Sequence, residues 1–112
     1  MSDVTAMSVE PVTGTGTYKW NITIYEERGT CWIKWSSDAP FRPQQGRVCL
    51  YPGAFPADPG QAEAWQWDDQ PSPFNTNKLW GAGWCAAWIG QQGVSQGYKY
   101  AYVAKTPVTK DK

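Results

Sequence analysis

The side chains best suited to recognise a ligand are concentrated between residues 65 and 80. Aromatic rings alternate there with carboxylates and amides, in Trp65-Gln66-Trp67-Asp68-Asp69-Gln70 and then Phe74-Asn75-Thr76-Asn77-Lys78 and Trp80. An indole offers a flat apolar face on which a sugar ring can stack, and carboxylates and amides form hydrogen bonds with hydroxyl groups. Such a mixture suits a shallow site for a neutral sugar. We therefore predict a ligand-binding site formed by Trp67, Asp68, Asp69, Asn75, Asn77 and Trp80.

Within this site we expect Asp68 or Asp69 to accept hydrogen bonds from sugar hydroxyls, while Trp67 or Trp80 stacks on the ring. A second candidate surface contains Trp32 and Lys34. Residue alternation places both on the polar face of a predicted hairpin, where an indole is out of place. Trp32 is therefore either covered by a second sheet or another subunit, or exposed for binding.

Catalysis is not expected. The chain has no histidine, which excludes Ser-His and Cys-His nucleophile pairs and histidine-based metal sites. The acidic doublets Glu26-Glu27 and Asp68-Asp69 do not provide the facing carboxylates of a glycosidase, because neighbouring strand residues point to opposite faces. Gly81-Ala82-Gly83 lacks the further glycine of a phosphate-binding loop. We predict a protein that is not an enzyme and holds no metal or cofactor.

The three cysteines, Cys31, Cys49 and Cys85, do not form a close-spaced pattern. An odd number without Cys-x-x-Cys spacing argues against a disulfide framework and against metal binding. We expect buried thiols that act as small apolar side chains. One disulfide with one free thiol is the alternative.

The elements that must position these residues are strands. The 112 residues suit one domain, and 11 Gly and 9 Pro interrupt every long segment while good helix formers are scarce. We place the folded part at residues 17–105, preceded by a flexible arm or edge strand over 1–16 and followed by a tail over 106–112.

The clearest strand signal is a hairpin. Tyr18, Trp20, Ile22 and Ile24 alternate with polar residues up to Tyr25, and a second run covers 30–35. We predict a four-residue loop over 26–29 that pairs Tyr25 with Thr30 and Trp20 with Trp35. This register places six side chains on one face: Trp20, Ile22, Ile24, Cys31, Ile33 and Trp35.

Further strands are expected at 46–51, 64–68, 79–89 and 98–105, with loops over 52–60, 69–78 and 90–97. Strand is favoured over helix for 79–89 because of its two glycines and its aromatic residues. The sequence thus predicts an all-β fold, a compact antiparallel β-sandwich or small barrel of about six to eight strands.

The expected function is lectin-like carbohydrate binding, with glycans or glycoconjugates as partners. We expect a homo-oligomer, because several weak sites together raise the overall affinity. The alternatives are a membrane-binding, cytolysin-like or toxin-like protein and a protein-interaction or inhibitor domain, since Trp and Tyr suit lipid interfaces and binding hot spots. Ten basic and ten acidic side chains give no excess charge for nucleic acid. The given chain shows no leader, which predicts a cytoplasmic or non-classically secreted protein.

Overall fold

Two antiparallel four-stranded sheets form the protein, as seen in a computed structural model that describes residues 4–5, 18–81, 83–94 and 97–110. The first sheet has the strand order β1-β2-β3-β6 and the second β5-β4-β7-β8. The strands are β1 Val4–Thr5, β2 Trp20–Glu27, β3 Thr30–Ser37, β4 Arg47–Pro52, β5 Ala64–Trp67, β6 Phe74–Leu79, β7 Trp84–Val94 and β8 Gly97–Lys105. This arrangement confirms the predicted all-β sandwich. No helix capable of crossing a membrane occurs in the described part of the chain.

The main core lies between the two sheets. Alternate residues of each strand point inward, as the period-two pattern requires. The first sheet contributes Trp20, Ile22, Ile24, Cys31 and Ile33, and the second Val48, Leu50, Ala86, Trp88, Val103 and Ala104. The rings of Trp20 and Trp88 meet edge to face at 5.1 Å and join the sheets.

The predicted register of the first hairpin is wrong by two residues. Glu27 pairs with Thr30 and Trp20 with Ser37, so Arg28 and Gly29 alone form the turn. Both have positive φ, 53° and 84°, as in the two-residue turns whose twist matches that of the strands. Because the shift is two residues, the six-residue inward face predicted for the hairpin is preserved and confirmed as buried or half-buried.

The segment predicted as a polar loop over 69–78 contains a strand, β6. It pairs with the edge of β3, with Asn75 opposite Trp32 and Phe74 opposite Ile33. The Thr76 hydroxyl donates a 2.7 Å hydrogen bond to the Cys31 carbonyl, and the register shifts near Asn77, whose φ is 61°. Polar residues suit an edge strand with one solvated face, so composition alone suggested a loop.

The loop predicted over 90–97 is also wrong, because β7 and β8 continue through most of it. Gly90 pairs with Ala101 and Val94 with Gly97, and residues 95–96 lie outside the described residues. Gly90 lies against Pro43, where a Cβ would come within 2.5 Å of the Pro43 Cβ. Glycine is therefore required by packing at this position and does not mark a loop.

A second apolar cluster covers the outer face of the second sheet. The irregular connection after β4 folds over it, and Phe55 and Ala62 pack on Cys49, Tyr51, Cys85, Ala87 and Ile89. The Tyr51 hydroxyl donates a 2.6 Å hydrogen bond to the Pro59 carbonyl. All three cysteines are free and buried, which confirms the expected apolar role and excludes the disulfide alternative.

The described parts of both chain ends form backbone hydrogen bonds with neighbouring strands. Val4 and Thr5 pair with β2 as an edge strand, and the rest of the arm lies outside the described residues. Residues 106–110, expected as a tail, come after β8 in the chain and run alongside β7. The N–H groups of Thr106 and Thr109 donate to the carbonyls of Ala86 and Trp84, and both threonines are buried.

Candidate binding groove

A buried carboxylate lies at one end of the sandwich. Asp68 follows β5, is only 6% exposed, and accepts a 2.9 Å hydrogen bond at Oδ2 from the indole Nε1 of Trp88. Its backbone N–H donates to the Gly46 carbonyl at 3.0 Å. Gly46 admits the carboxylate because a Cβ there would lie 1.9 Å from Oδ2. Two residues distant in sequence, Trp88 and Gly46, thus provide the donor for the carboxylate and the space that it occupies.

Burial is the main influence on the ionisation of Asp68. Desolvation raises the pKa of its carboxyl above the ordinary value of 3.8, and the charge of Asp69 acts in the same direction. The hydrogen bond from Trp88 and the positive charge of Arg42 lower that pKa and offset part of the effect. A carboxyl with a perturbed pKa inside a cleft is a recognised mark of a functional site.

A cleft of about 450 Å³ opens beside Asp68 between the ends of the two sheets. Its walls are aromatic, with Trp20, Trp35, Phe41 and Trp88. Its polar lining comprises Ser36, Ser37, Arg42, Asp68, Gln70 and Ser72. Phe41 is 42% exposed and Trp35 is half-buried, so these two rings are the ones accessible to a ligand. We call this space the first cleft.

A second cleft of about 430 Å³ lies on the other side of Asp68. Its described lining consists of Arg42, Pro43, Gln45, Gly46, Trp67, Asp68, Asp69 and Gln70. Three of these, Arg42, Asp68 and Gln70, also line the first cleft. The two clefts together form the candidate groove.

The groove brings together three of the residues predicted from the sequence. Trp67, Asp68 and Asp69 all line the second cleft, with Trp67 half-buried and Asp69 exposed. Only Asp68 also borders the first cleft. Their role in binding stays a prediction.

Asn75, Asn77 and Trp80 line neither cleft. Trp80 packs against the core, and its backbone N–H donates to the Gly29 carbonyl at 2.8 Å. It therefore lies at the turn of the first hairpin, whereas the first cleft lies at the opposite end, beside Ser36 and Ser37. The Asn75 side chain accepts hydrogen bonds from the Thr30 hydroxyl and the Asn77 N–H, which ties it into the strand pairing.

Trp32 and Lys34 occupy a separate surface, the outer face of the first sheet. Trp32 lies opposite Asn75 and beside Tyr25, with the two ring centres 6.3 Å apart, and its Nε1 donates to the Thr30 hydroxyl. The Lys34 ammonium lies 5.2 Å from the centre of the Tyr25 ring. Neither residue lines the two clefts of the groove, although Lys34 lines a smaller cleft of about 230 Å³ that shares Trp35, Ser36 and Ser72 with the first cleft.

Sequence reasoning missed several groove residues, above all Trp35, Phe41 and Arg42. Trp35 was assigned to the core, yet its Nε1 donates to the Asp68 carbonyl at 3.2 Å and its ring forms a wall of the first cleft. Phe41 and Arg42 belong to a proline-containing loop that gave no periodic signal. An aromatic residue next to an arginine in a loop was the one available sign, and it is a weak one.

Trp65 takes part in a different cluster. It meets Trp67 edge to face at 4.9 Å, and the Arg47 guanidinium lies 4.1 Å from one Trp65 ring centre, 4.9 Å from Trp67 and 4.6 Å from Tyr100. These cation–π contacts restrict the position of the Trp67 ring. Trp65 itself lines neither cleft.

No protein-family model, curated protein or solved structure matches this chain. The chemistry of the groove follows from its own side chains: accessible aromatic faces, one buried and one exposed carboxylate, an arginine, and amide and hydroxyl groups. No cluster of three or more side chains suited to a metal ion occurs among the described residues. These groups can stack on a ring and form hydrogen bonds with hydroxyls.

Proposed function

We propose that the protein binds carbohydrate in this groove without modifying it. The observation that carries the proposal is a buried carboxylate in the lining of a cleft whose accessible walls are aromatic. Sugars combine an apolar ring face with a rim of hydroxyl groups. A site that pairs Trp35 and Phe41 with Asp68 meets both requirements.

The carboxylate of Asp68 retains acceptor capacity. Its Oδ2 accepts the Trp88 indole N–H, and the two oxygens of a carboxylate together offer about four acceptor positions. An ionised carboxylate can accept several hydrogen bonds, and those to charged acceptors are stronger than neutral ones. A sugar hydroxyl reaching Oδ1 would therefore be held firmly. Arg42, Gln70 and Ser72 supply donors around it.

Binding without hydrolysis is the better match to the carboxylates present. Hydrolysis of a glycosidic bond generally requires two carboxyl groups that flank the bond. The described carboxylates of the groove are Asp68, which lines both clefts, and Asp69, its neighbour in the turn after β5, which lines the second. The first cleft thus has one carboxylate, and release of reducing ends from a bound oligosaccharide would contradict the proposal.

A glycan array followed by titration in solution tests the proposal. Trp35 forms part of the first cleft, so we expect bound sugar to change the tryptophan fluorescence. Asp68→Asn should weaken binding by about tenfold or more, because a buried charged acceptor contributes about 1.5–3 kcal/mol. Trp32→Ala, on the separate outer face, is the matched control and should leave affinity unchanged.

Three other results would count against the proposal. Loss of binding in Trp32→Ala but not in Asp68→Asn would move the site to the outer face of the first sheet. Binding to vesicles of plain phospholipid without any bound sugar would favour the membrane alternative. A stoichiometric complex with a protein that sugars do not displace would favour an interaction domain.

A further inference from the structure

The two clefts are parts of one groove. Arg42, Asp68 and Gln70 line both, so these three side chains lie where the clefts adjoin, and a ligand in one cleft can extend across them into the other. The carboxylate of Asp68 therefore lies at the junction. Gly46 keeps the backbone close to it on the side of the second cleft.

The size of the groove exceeds the needs of one sugar ring. The clefts measure about 450 and about 430 Å³, and each alone falls within the range of about 300–1,000 Å³ typical of sites for drug-sized molecules. A single monosaccharide is smaller than such molecules. One ring would leave most of the groove filled with water.

Each cleft also has its own set of recognition groups. The first has the accessible rings of Phe41 and Trp35, with Ser72 at its edge. The second has the Trp67 ring, whose other contacts are with Arg47 and Trp65, together with Gln45 and Asp69. A ring for stacking and polar groups for hydroxyls thus occur twice, once on each side of Asp68.

We propose, building on the carbohydrate-binding function above, that the groove has two adjoining subsites and that its ligand is an oligosaccharide of at least two units. One unit stacks in the first cleft and the next against Trp67, while Arg42, Asp68 and Gln70 form hydrogen bonds near the linkage. Joining two units converts the second contact into an intramolecular one, so affinity increases without a change in either subsite.

The test is calorimetric titration with matched monosaccharides and disaccharides of glucose, N-acetylglucosamine, mannose and galactose. For at least one series the disaccharide should bind about tenfold or more tightly than the monosaccharide, equivalent to about 1.4 kcal/mol, with one disaccharide per chain. Trp67→Ala should abolish this gain, so that disaccharide and monosaccharide bind with about equal affinity. Phe41→Ala should weaken both ligands.

Two further variants keep the result interpretable. Gln45→Gly removes an exposed side chain of the second cleft at a position where φ is 51°, which glycine adopts freely, and it should reduce the gain even if Trp67→Ala fails to fold. Trp32→Ala removes an indole from the outer face of the first sheet, which lines neither cleft, and it should preserve the gain.

The failures are distinguishable. Equal affinity for monosaccharide and disaccharide, or two disaccharides per chain, would overturn the two-subsite proposal while leaving carbohydrate binding intact. An unchanged gain in both Trp67→Ala and Gln45→Gly would also overturn it. Absence of binding to every sugar would overturn the proposed function and this inference together.

Discussion

The indole Nε1 of Trp88 donates a 2.9 Å hydrogen bond to Oδ2 of Asp68. Trp88 lies at the centre of β7 and is 2% exposed, while Asp68 lies where β5 ends. This bond connects the inner core of the sandwich to the junction of the two clefts. The residue that packs against Trp20 in the core therefore also orients the carboxylate of the groove. Changes at this pair should therefore affect both stability and binding, each in its own direction.

Removing the Asp68 acceptor should destabilise the fold more than neutralising it. Asp68→Ala leaves the Trp88 N–H buried without a partner, which costs about 1–3 kcal/mol. Asp68→Asn keeps an acceptor of the same size and removes a buried charge, so it should match or exceed the wild-type free energy of unfolding at pH 7. Urea unfolding of the three proteins measures this. Equal stability of the two variants would show that the hydrogen bond is unimportant.

The stability contributed by Asp68 should decrease as pH rises. Burial raises the pKa of its carboxyl above 3.8, so the folded protein binds this proton more tightly than the unfolded chain. The contribution is complete below the unfolded pKa and is lost as pH rises through the folded pKa. The free energy of unfolding of wild type minus that of Asp68→Asn should therefore fall across this range and then level off. Urea titrations at a series of pH values test it, and a rising difference would contradict it.

Gly46 should tolerate a side chain only when Asp68 is removed. A Cβ at Gly46 would lie 1.9 Å from Oδ2, and the φ of Gly46 is not in the left-handed region, so steric overlap is the main obstacle. Gly46→Ala should cost about 1–3 kcal/mol in wild type, and clearly less in the Asp68→Ala background.

A double-mutant cycle in urea measures this coupling. Gly81→Ala is the control, because nothing lies within 4 Å of a Cβ there, and it should change stability by less than about 0.5 kcal/mol. Equal costs of Gly46→Ala in the two backgrounds would show that the overlap is relieved elsewhere.

A single substitution in the first hairpin turn should stabilise the protein. Arg28 has φ 53°, a conformation that costs most L residues about 1–2 kcal/mol, whereas asparagine before glycine favours this turn. Arg28→Asn should raise the melting temperature, Arg28→Lys should leave it unchanged, and Gly29→Ala should lower it. Thermal unfolding provides the measurement. A stabilising effect of Gly29→Ala would contradict the two-residue turn.

The three thiols should be unreactive in the folded protein. Burial raises the pKa of Cys31 and Cys85 to about 11 and that of Cys49 to about 12, and each thiol is fully buried. The thiolate is the reactive species, so a disulfide reagent near pH 8 should modify none of them until denaturant is added, when all three react. Rapid modification of one thiol in the native protein would indicate local opening of its strand.

Much of the fold could be predicted because strand periodicity is a local property. Alternation in β2 and β3 assigned Trp20 and Ile33 to the core, and this assignment survived the register error because a shift of two residues keeps every side chain on its face. The extent of β6 could not be predicted in this way. Its pairing with β3 depends on a neighbour distant in sequence, and its polar residues resemble those of a loop.

The candidate site likewise combines features that the local sequence predicts with contacts that only the fold creates. The sequence by itself determined that the protein is built of strands, which hairpin side chains face inward, and that Trp67, Asp68 and Asp69 lie together, because these depend on neighbouring residues. Only the tertiary structure decided that Arg42 and Phe41 line the same cleft as Asp68 and that Trp80 lies at the far end of the hairpin. Such contacts depend on how loops return across the ends of two packed sheets, and no local pattern of residue types encodes that path.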